Sequence, residues 1–175
     1  MELMNAIAMR QSVRKYNATL VSSEDIDTIL QAGCAAPVAG GGHERIHLTV
    51  IQNKELLAKI GAATAKAFGN EKFDPFYGAG TFLLVSVKPK ESEPNIEIAD
   101  GACVVENMLL AATGLGLASV YLWSFRWGLK EQPELVDEFG LPEGFVPVSG
   151  AVIGYADDTL KERQLALNVS HNIIK

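Results

Sequence analysis

The order of apolar and polar residues divides the chain into short elements of two kinds. Leu3, Ile7 and Ala8 recur at helical spacing and give the opening residues a narrow apolar face. Ile26, Ile29, Leu30 and Gly33 trace a second helix. Ser22 or Ser23 supplies its N-cap, and Glu24 and Asp25 follow in the first turn, where acids are favoured. Pro37 stops it. Ile46 to Gln52 reads as a strand through Thr49, Val50 and Ile51. Asn53 caps a third helix with Leu56, Leu57 and Ile60 on one face. Thr81 to Val87 is almost continuously apolar, as in a strand covered on both faces. A proline-bounded polar loop, Pro89 to Pro94, precedes the longest helix, Ile96 to Leu115. That helix is apolar nearly all round, which predicts the core helix. Ala118 to Leu122 is a strand, Glu134 to Phe139 a short surface helix closed by Gly140, and Val146 to Tyr155 a last core strand. Beyond Leu165 no helical period remains, so an extended tail is expected.

Helices and strands interleave without a linker, which predicts one layered domain of mixed α and β structure over residues 1–175. Hydrophobic residues at 48% and charged residues at 21% exclude wholesale disorder. Fifteen Lys and Arg against 21 Asp and Glu leave a net charge of -6, which argues against general binding to nucleic acid or anionic membrane. The apolar tract from Ala102 to Trp123 carries Glu106 and Asn107, so it reads as a buried helix and strand rather than a bilayer span. Met1 to Arg10 reads as an amphipathic helix, not a signal peptide. Cys34 and Cys103 form no metal or redox spacing, and the expected compartment is a reducing cytoplasm. Neither has a local base, so each is expected to be a small core residue.

Four segments carry candidate chemistry. In Arg10-Gln11-Ser12-Val13-Arg14, an extended backbone sends residues 10, 12 and 14 to one side, around a single anion. The alternative is a solvated basic turn. Lys161-Glu162-Arg163 alone is a surface charge cluster, but meeting the first segment it would complete a phosphate site. Gly40-Gly41-Gly42 allows close backbone approach to a flat or phosphorylated ligand, or is a flexible turn. No P-loop or dinucleotide fingerprint is present. His43 and His47 are four apart but precede a strand, which does not support a metal site. Trp123, Phe125 and Trp127 alternate at strand spacing, as a stacking wall or a subunit contact would.

Arg10-x-Ser12-x-Arg14-x-Tyr16, Ala35-Ala36-Pro37, Asn107-Met108-Leu109-Leu110-Ala111-Ala112, Gly114-Leu115-Gly116-Leu117, Glu138 to Pro142, Val152 to Tyr155 and Lys161-x-Arg163 occur in the order found in one family. The sequence resembles the FMN-dependent nitroreductases in their shorter form. The resemblance implies an α+β fold, an α/β/α sandwich around a mixed, mainly antiparallel central sheet flanked by helices. It implies a homodimer with FMN at the interface and the C-terminal segment, about 164–175, extending onto the partner. Arg10, Ser12, Arg14, Lys161 and Arg163 would hold the FMN phosphate. Pro37, Gly41 and Asn107 would lie close to the flavin, and Trp123 and Ser124 would face its N5. His43, Arg45 and Phe125 would line the substrate pocket, with Arg45 or His43 as the positive group near N1 and O2. The implied reaction is ping-pong hydride transfer from NADH or NADPH through flavin N5 to a small organic acceptor, with no protein nucleophile and no metal. In the family Ser-x-x-Asn-x-Gln-Pro-Trp commonly follows Ala-Pro. Here Gly41 stands for the Asn, His43 for the Gln and Arg45 for the Trp, and Trp123-Ser124 stands where Glu-Gly is frequent. The altered glycine loop motivates an alternative, an FMN-binding carrier or sensor without rapid turnover.

Overall fold

The computed structural model describes residues 1–158 and 160–175. In chain order the helices and strands are α1 (Leu3–Met9), α2 (Ser23–Cys34), β1 (Ile46–Ile51), α3 (Lys54–Ala67), β2 (Thr81–Val87), α4 (Ile96–Gly114), β3 (Ala118–Leu122), α5 (Phe125–Glu131) and β4 (Val146–Gly154). Short 3-10 turns occupy Ala39–Gly41, His43–Arg45 and Pro133–Phe139. The caps follow the local chemistry. Ser22 Oγ accepts from the Asp25 N–H at the start of α2, and Asn53 Oδ1 accepts from the Leu56 N–H at the start of α3.

The strands lie in the order β1-β2-β4-β3, each neighbouring pair antiparallel. A parallel bridge between Ser12 and Ser119 gives the sheet its mixed character. Every residue of β2 is buried, and its alternation divides the core. Phe82 and Leu84 pack with Ile60 of α3 and Phe125 of α5. Leu83, Val85 and Val87 pack with Ile29 of α2 and Met108 of α4 on the opposite face. The result is the expected α/β/α sandwich. Each such fully buried side chain contributes about 1.5–3 kcal/mol relative to exposure.

One close approach fixes α5 against α3. A Cβ on Gly128 would meet Thr64 Oγ1 at 2.5 Å and the Thr64 backbone nitrogen at 2.7 Å, so no larger residue fits without moving the helices.

Three expectations are corrected. Residues 123–127 are not strand-like: Trp123 precedes a turn and Phe125 begins α5. Cys34 and Cys103 are exposed, not core residues. In α1 the buried residues are Ala6 and Ala8, while Leu3 is exposed.

Candidate functional site

Two basic segments far apart in sequence meet at the end of α1. The last carbonyls of a helix lack intrahelical partners and carry partial negative charge. The Arg163 side chain supplies both needs. Its Nη2 donates to the Ile7 carbonyl at 2.7 Å and its Nε to the Ala8 carbonyl at 3.2 Å. The Arg163 backbone N–H also donates to the Ala8 carbonyl, and Gln11 Nε2 donates to the Lys161 carbonyl at 3.0 Å. Residues 161–163 are thereby clasped against residues 7–11.

From Arg10 the chain runs extended beside β3. The Val13 N–H donates to the Ser119 carbonyl at 3.0 Å, and Val13 packs on the core. Alternation then leaves Ser12 and Arg14 exposed on the opposite side. Arg10 Nε lies 3.9 Å from Glu106 Oε1, a loose pair at the surface of α4. Arg10, Ser12 and Arg14 thus follow one another along a segment to which the Lys161 backbone is tied through Gln11, whereas the Arg163 guanidinium is engaged by α1. Its place is that of a positioning residue.

Tyr16 closes this segment. Its ring is buried and its hydroxyl has no hydrogen-bond partner among the described residues. Burial, reinforced by nearby Tyr77 and opposed by Arg14, raises its pKa well above the usual tyrosine value.

The glycine loop is organised from within. Gly40 and Gly41 have positive φ values of 62° and 70°, which permits the tight path of residues 38–42. Pro37 and Gly41 are exposed. His43 turns back on the loop, with Nδ1 3.0 Å from the Gly41 carbonyl and Nε2 3.2 Å from the Ala36 carbonyl. Arg45 turns inward too. Its Nη2 meets Asp100 Oδ2 at 2.8 Å and its Nη1 donates to the Lys88 carbonyl. The other Asp100 oxygen accepts from the Ala39 N–H at 2.8 Å. Arg45 and His43 therefore brace the loop, and His43 also borders a small cavity of about 140 Å³ with Cys34, Ile46 and Leu48. Asp100 is the functional residue the sequence reading passed over. A lone carboxylate inside the apolar run Ile98-Ala99-Asp100-Gly101 signalled a buried partner.

Asn107 donates from Nδ2 to the Ala32 carbonyl, which locks α2 onto α4. Phe125 is fully buried and packs on Phe82, so it is part of the core rather than of an open pocket wall. Trp123 is half-buried, and the Ser124 Oγ is buried without a hydrogen-bond partner among the described residues. Ser119 Oγ, beside the Ser12 bridge, is likewise unpartnered. A separate cleft of about 420 Å³, walled by α3 residues such as Leu57 and Ala62 and by Phe73 and Phe76, contains none of these site residues.

Residues 7–155 match the family model described as Nitroreductase family. A protein of Archaeoglobus fulgidus, provisionally named an NADH dehydrogenase/NAD(P)H nitroreductase, is 33% identical over 161 residues, spanning 90% of this chain and 87% of that protein. A solved nitroreductase of Bacteroides fragilis with bound FMN aligns at a TM-score of 0.83 and 28% identity, covering 99% of this chain and 100% of the other. A second FMN-bound nitroreductase, from Desulfitobacterium hafniense, shares the fold at a TM-score of 0.86 and 21% identity, over 99% and 98% of the two chains.

Proposed function

This chain belongs to the nitroreductase family, and from that premise we propose that it is an FMN-dependent NAD(P)H oxidoreductase. The observation that carries the reading is the clasp of residues 161–163 onto residues 7–11. It ties the backbone of Lys161 to the segment that carries Arg10, Ser12 and Arg14, which supports a shared phosphate site. The chemistry of this donor set suits FMN: guanidinium forks and a hydroxyl for the phosphate, and unpartnered buried hydroxyls at Ser119 and Ser124 for polar ring or ribityl atoms.

When bound, FMN supplies a hydride relay at N5 between NADH or NADPH and a small organic acceptor, the two substrates alternating at one face. The chain's own groups position that relay. Arg10, Arg14 and Lys161 neutralise the phosphate, and Arg163 holds Lys161 in reach by anchoring its segment to α1. Pro37, Gly41 and the loop backbone would lie close to the ring, with Arg45 and Asp100 holding the loop's shape. Trp123 and Ser124 border the reacting edge. No side chain is assigned as nucleophile.

The reading extends to a homodimer with FMN at the interface, residues about 164–175 reaching the partner. Leu165, Leu167 and Val169 are exposed at alternate positions, as in a strand that packs on another surface, and Leu3 and Met4 of α1 are exposed as well. Residence in a reducing cytoplasm fits two exposed free cysteines. No helix among the described residues is long and apolar enough to cross a membrane.

A second reading is an FMN-binding carrier or sensor. The altered glycine loop favours it, because Gly41, His43 and Arg45 stand where the family commonly carries Asn, Gln and Trp, and Arg45 is committed to Asp100. The visible spectrum of the purified protein, before and after anaerobic NADH or NADPH, decides between them. Yellow protein that bleaches rapidly establishes the oxidoreductase. Yellow protein that stays yellow establishes the carrier, and colourless protein that refuses added FMN removes both.

A further inference from the structure

Trp123, Arg126, Trp127 and Lys130 are spaced i, i+3, i+4, i+7, which stacks them along one side of a helix. The turn begins at Trp123, whose carbonyl accepts from the Arg126 N–H. The two indole rings meet edge to face with centroids 6.5 Å apart. Arg126 Cζ sits 4.2 Å from the Trp123 centroid, and Lys130 Nζ sits 5.7 Å from that of Trp127. Phe68, at the end of α3, extends the row, 6.0 Å from Trp127. Trp127 is 42% exposed and Phe68 50% exposed, so ring surface faces solvent.

Among the described residues neither Arg126 nor Lys130 pairs with a carboxylate. A cation held over an aromatic face keeps its net charge, whereas one in an ion pair does not. In a chain of net charge -6, this side of α5 therefore offers two uncompensated positive charges beside exposed aromatic surface. A planar ring gains stacking there, and an anionic substituent on that ring gains the Arg126 fork and the Lys130 charge. A neutral ring gains the first alone.

We propose that Trp123, Arg126, Trp127 and Lys130 form a shelf that selects planar aromatic anions as the electron acceptors. The shelf rests on the geometry above. Its role in acceptor choice rests on the flavoenzyme reading, which puts Trp123 and Ser124 beside the reacting edge.

The test uses 4-nitrobenzoate and 4-nitrobenzamide, which match in shape and differ in charge. Reduction of either nitro group to nitroso consumes one NAD(P)H and one proton and releases water. The chain has two tryptophans, Trp123 and Trp127, so intrinsic tryptophan fluorescence reports on this shelf alone. With FMN-loaded protein, saturable quenching by the carboxylate is expected at about fivefold lower concentration than by the amide. KM should follow the same order. The two ligands should converge in the Arg126→Gln/Lys130→Gln variant. They should also converge in the unaltered protein at roughly 0.5 M salt, a measurement that does not depend on the variant folding. Equal half-saturation in the unaltered protein, or a preference that survives both treatments, overturns the shelf. A preference in fluorescence without one in KM overturns its role in acceptor choice. Failure of the flavoenzyme reading shows separately, as protein that takes up no FMN or is not bleached by NAD(P)H, and the fluorescence titration then still decides the shelf.

Discussion

Arg45 Nη2 lies 2.8 Å from Asp100 Oδ2, with side chains only 13% and 4% exposed. One ion pair thus joins the loop before β1 to the buried side of α4. The second Asp100 oxygen holds the Ala39 N–H, so the same carboxylate fixes both ends of the glycine loop. Removing one partner strands the other charge in a poorly solvated place.

Arg45→Ala and Asp100→Ala should each lower stability by about 3 kcal/mol. For a chain of this length that corresponds to a fall in Tm of roughly 6–12 °C. Calorimetry or thermal circular dichroism checks it. Because Asp100 already compensates the Arg45 charge, the effect on FMN should appear as faster dissociation, not as a lower flavin potential. A potential that falls with FMN affinity unchanged would return Arg45 to the flavin.

Arg14 and Arg163 should separate binding from support. Arg14 is exposed and makes no side-chain hydrogen bond or ion pair among the described residues, so Arg14→Gln should raise the FMN dissociation constant about tenfold or more while Tm of the flavin-free protein stays level. Arg163→Ala should weaken FMN binding too, but should also cost about 1 kcal/mol by uncapping α1. Arg163→Lys retains charge but not the fork that reaches two carbonyls. Hydrogen exchange at α1 should therefore quicken in Arg163→Lys and stay slow in Arg14→Gln.

Tyr16 sets an alkaline limit. Its raised pKa means the folded chain keeps the phenol proton at pH values where the unfolded chain has lost it. Below about pH 10 the phenol is neutral in both states and its full contribution to stability is present. As pH rises further, the unfolded state ionises first and stability falls. Tyr16→Phe should flatten that loss in alkaline denaturation curves. It should also hold or raise stability at pH 7, since the hydroxyl it removes is buried without a partner. Destabilisation at pH 7 would reveal a partner for that hydroxyl.

Gly128→Ala should destabilise by about 1–3 kcal/mol, because the added methyl meets the Thr64 backbone as well as its side chain. If α5 shifts to accommodate it, the fluorescence of Trp127 should shift with it. An unchanged spectrum with unchanged Tm would contradict the close packing of α3 and α5.

Much of the architecture was legible because its signals are local. The caps at Ser22 and Asn53, the apolar run of β2 and the core helix α4 each follow from residues close together in sequence. The basic clusters were legible as residue types, and the family resemblance supplied their order. What could not be read was commitment. Whether Arg163 or Arg45 faces a ligand depends on which acceptors lie nearby in space, and the Ile7 carbonyl and Asp100 are 156 and 55 residues away respectively. The stretch from Trp123 to Trp127 misled because alternation and helical spacing coincide over so few residues. Arg126 and Lys130, three and seven after Trp123, carried the helical period. Cys103 was misplaced because a helix that is apolar nearly all round, as α4 is, does not say which of its sides is covered.

The clasp between residues 7–11 and 161–163 also bears on timing. A ribosome completes α1 long before it reaches Lys161, and the contacts that join them span 150 to 156 residues. Closing so long a loop is slow and entropically costly, so this seam forms late and opens early. A nascent chain halted before residue 161 would carry Arg10, Ser12 and Arg14 yet lack the other half of the cradle. Capture of the phosphate group would then act as a seal on a finished chain, protecting the seam at which unfolding would otherwise begin.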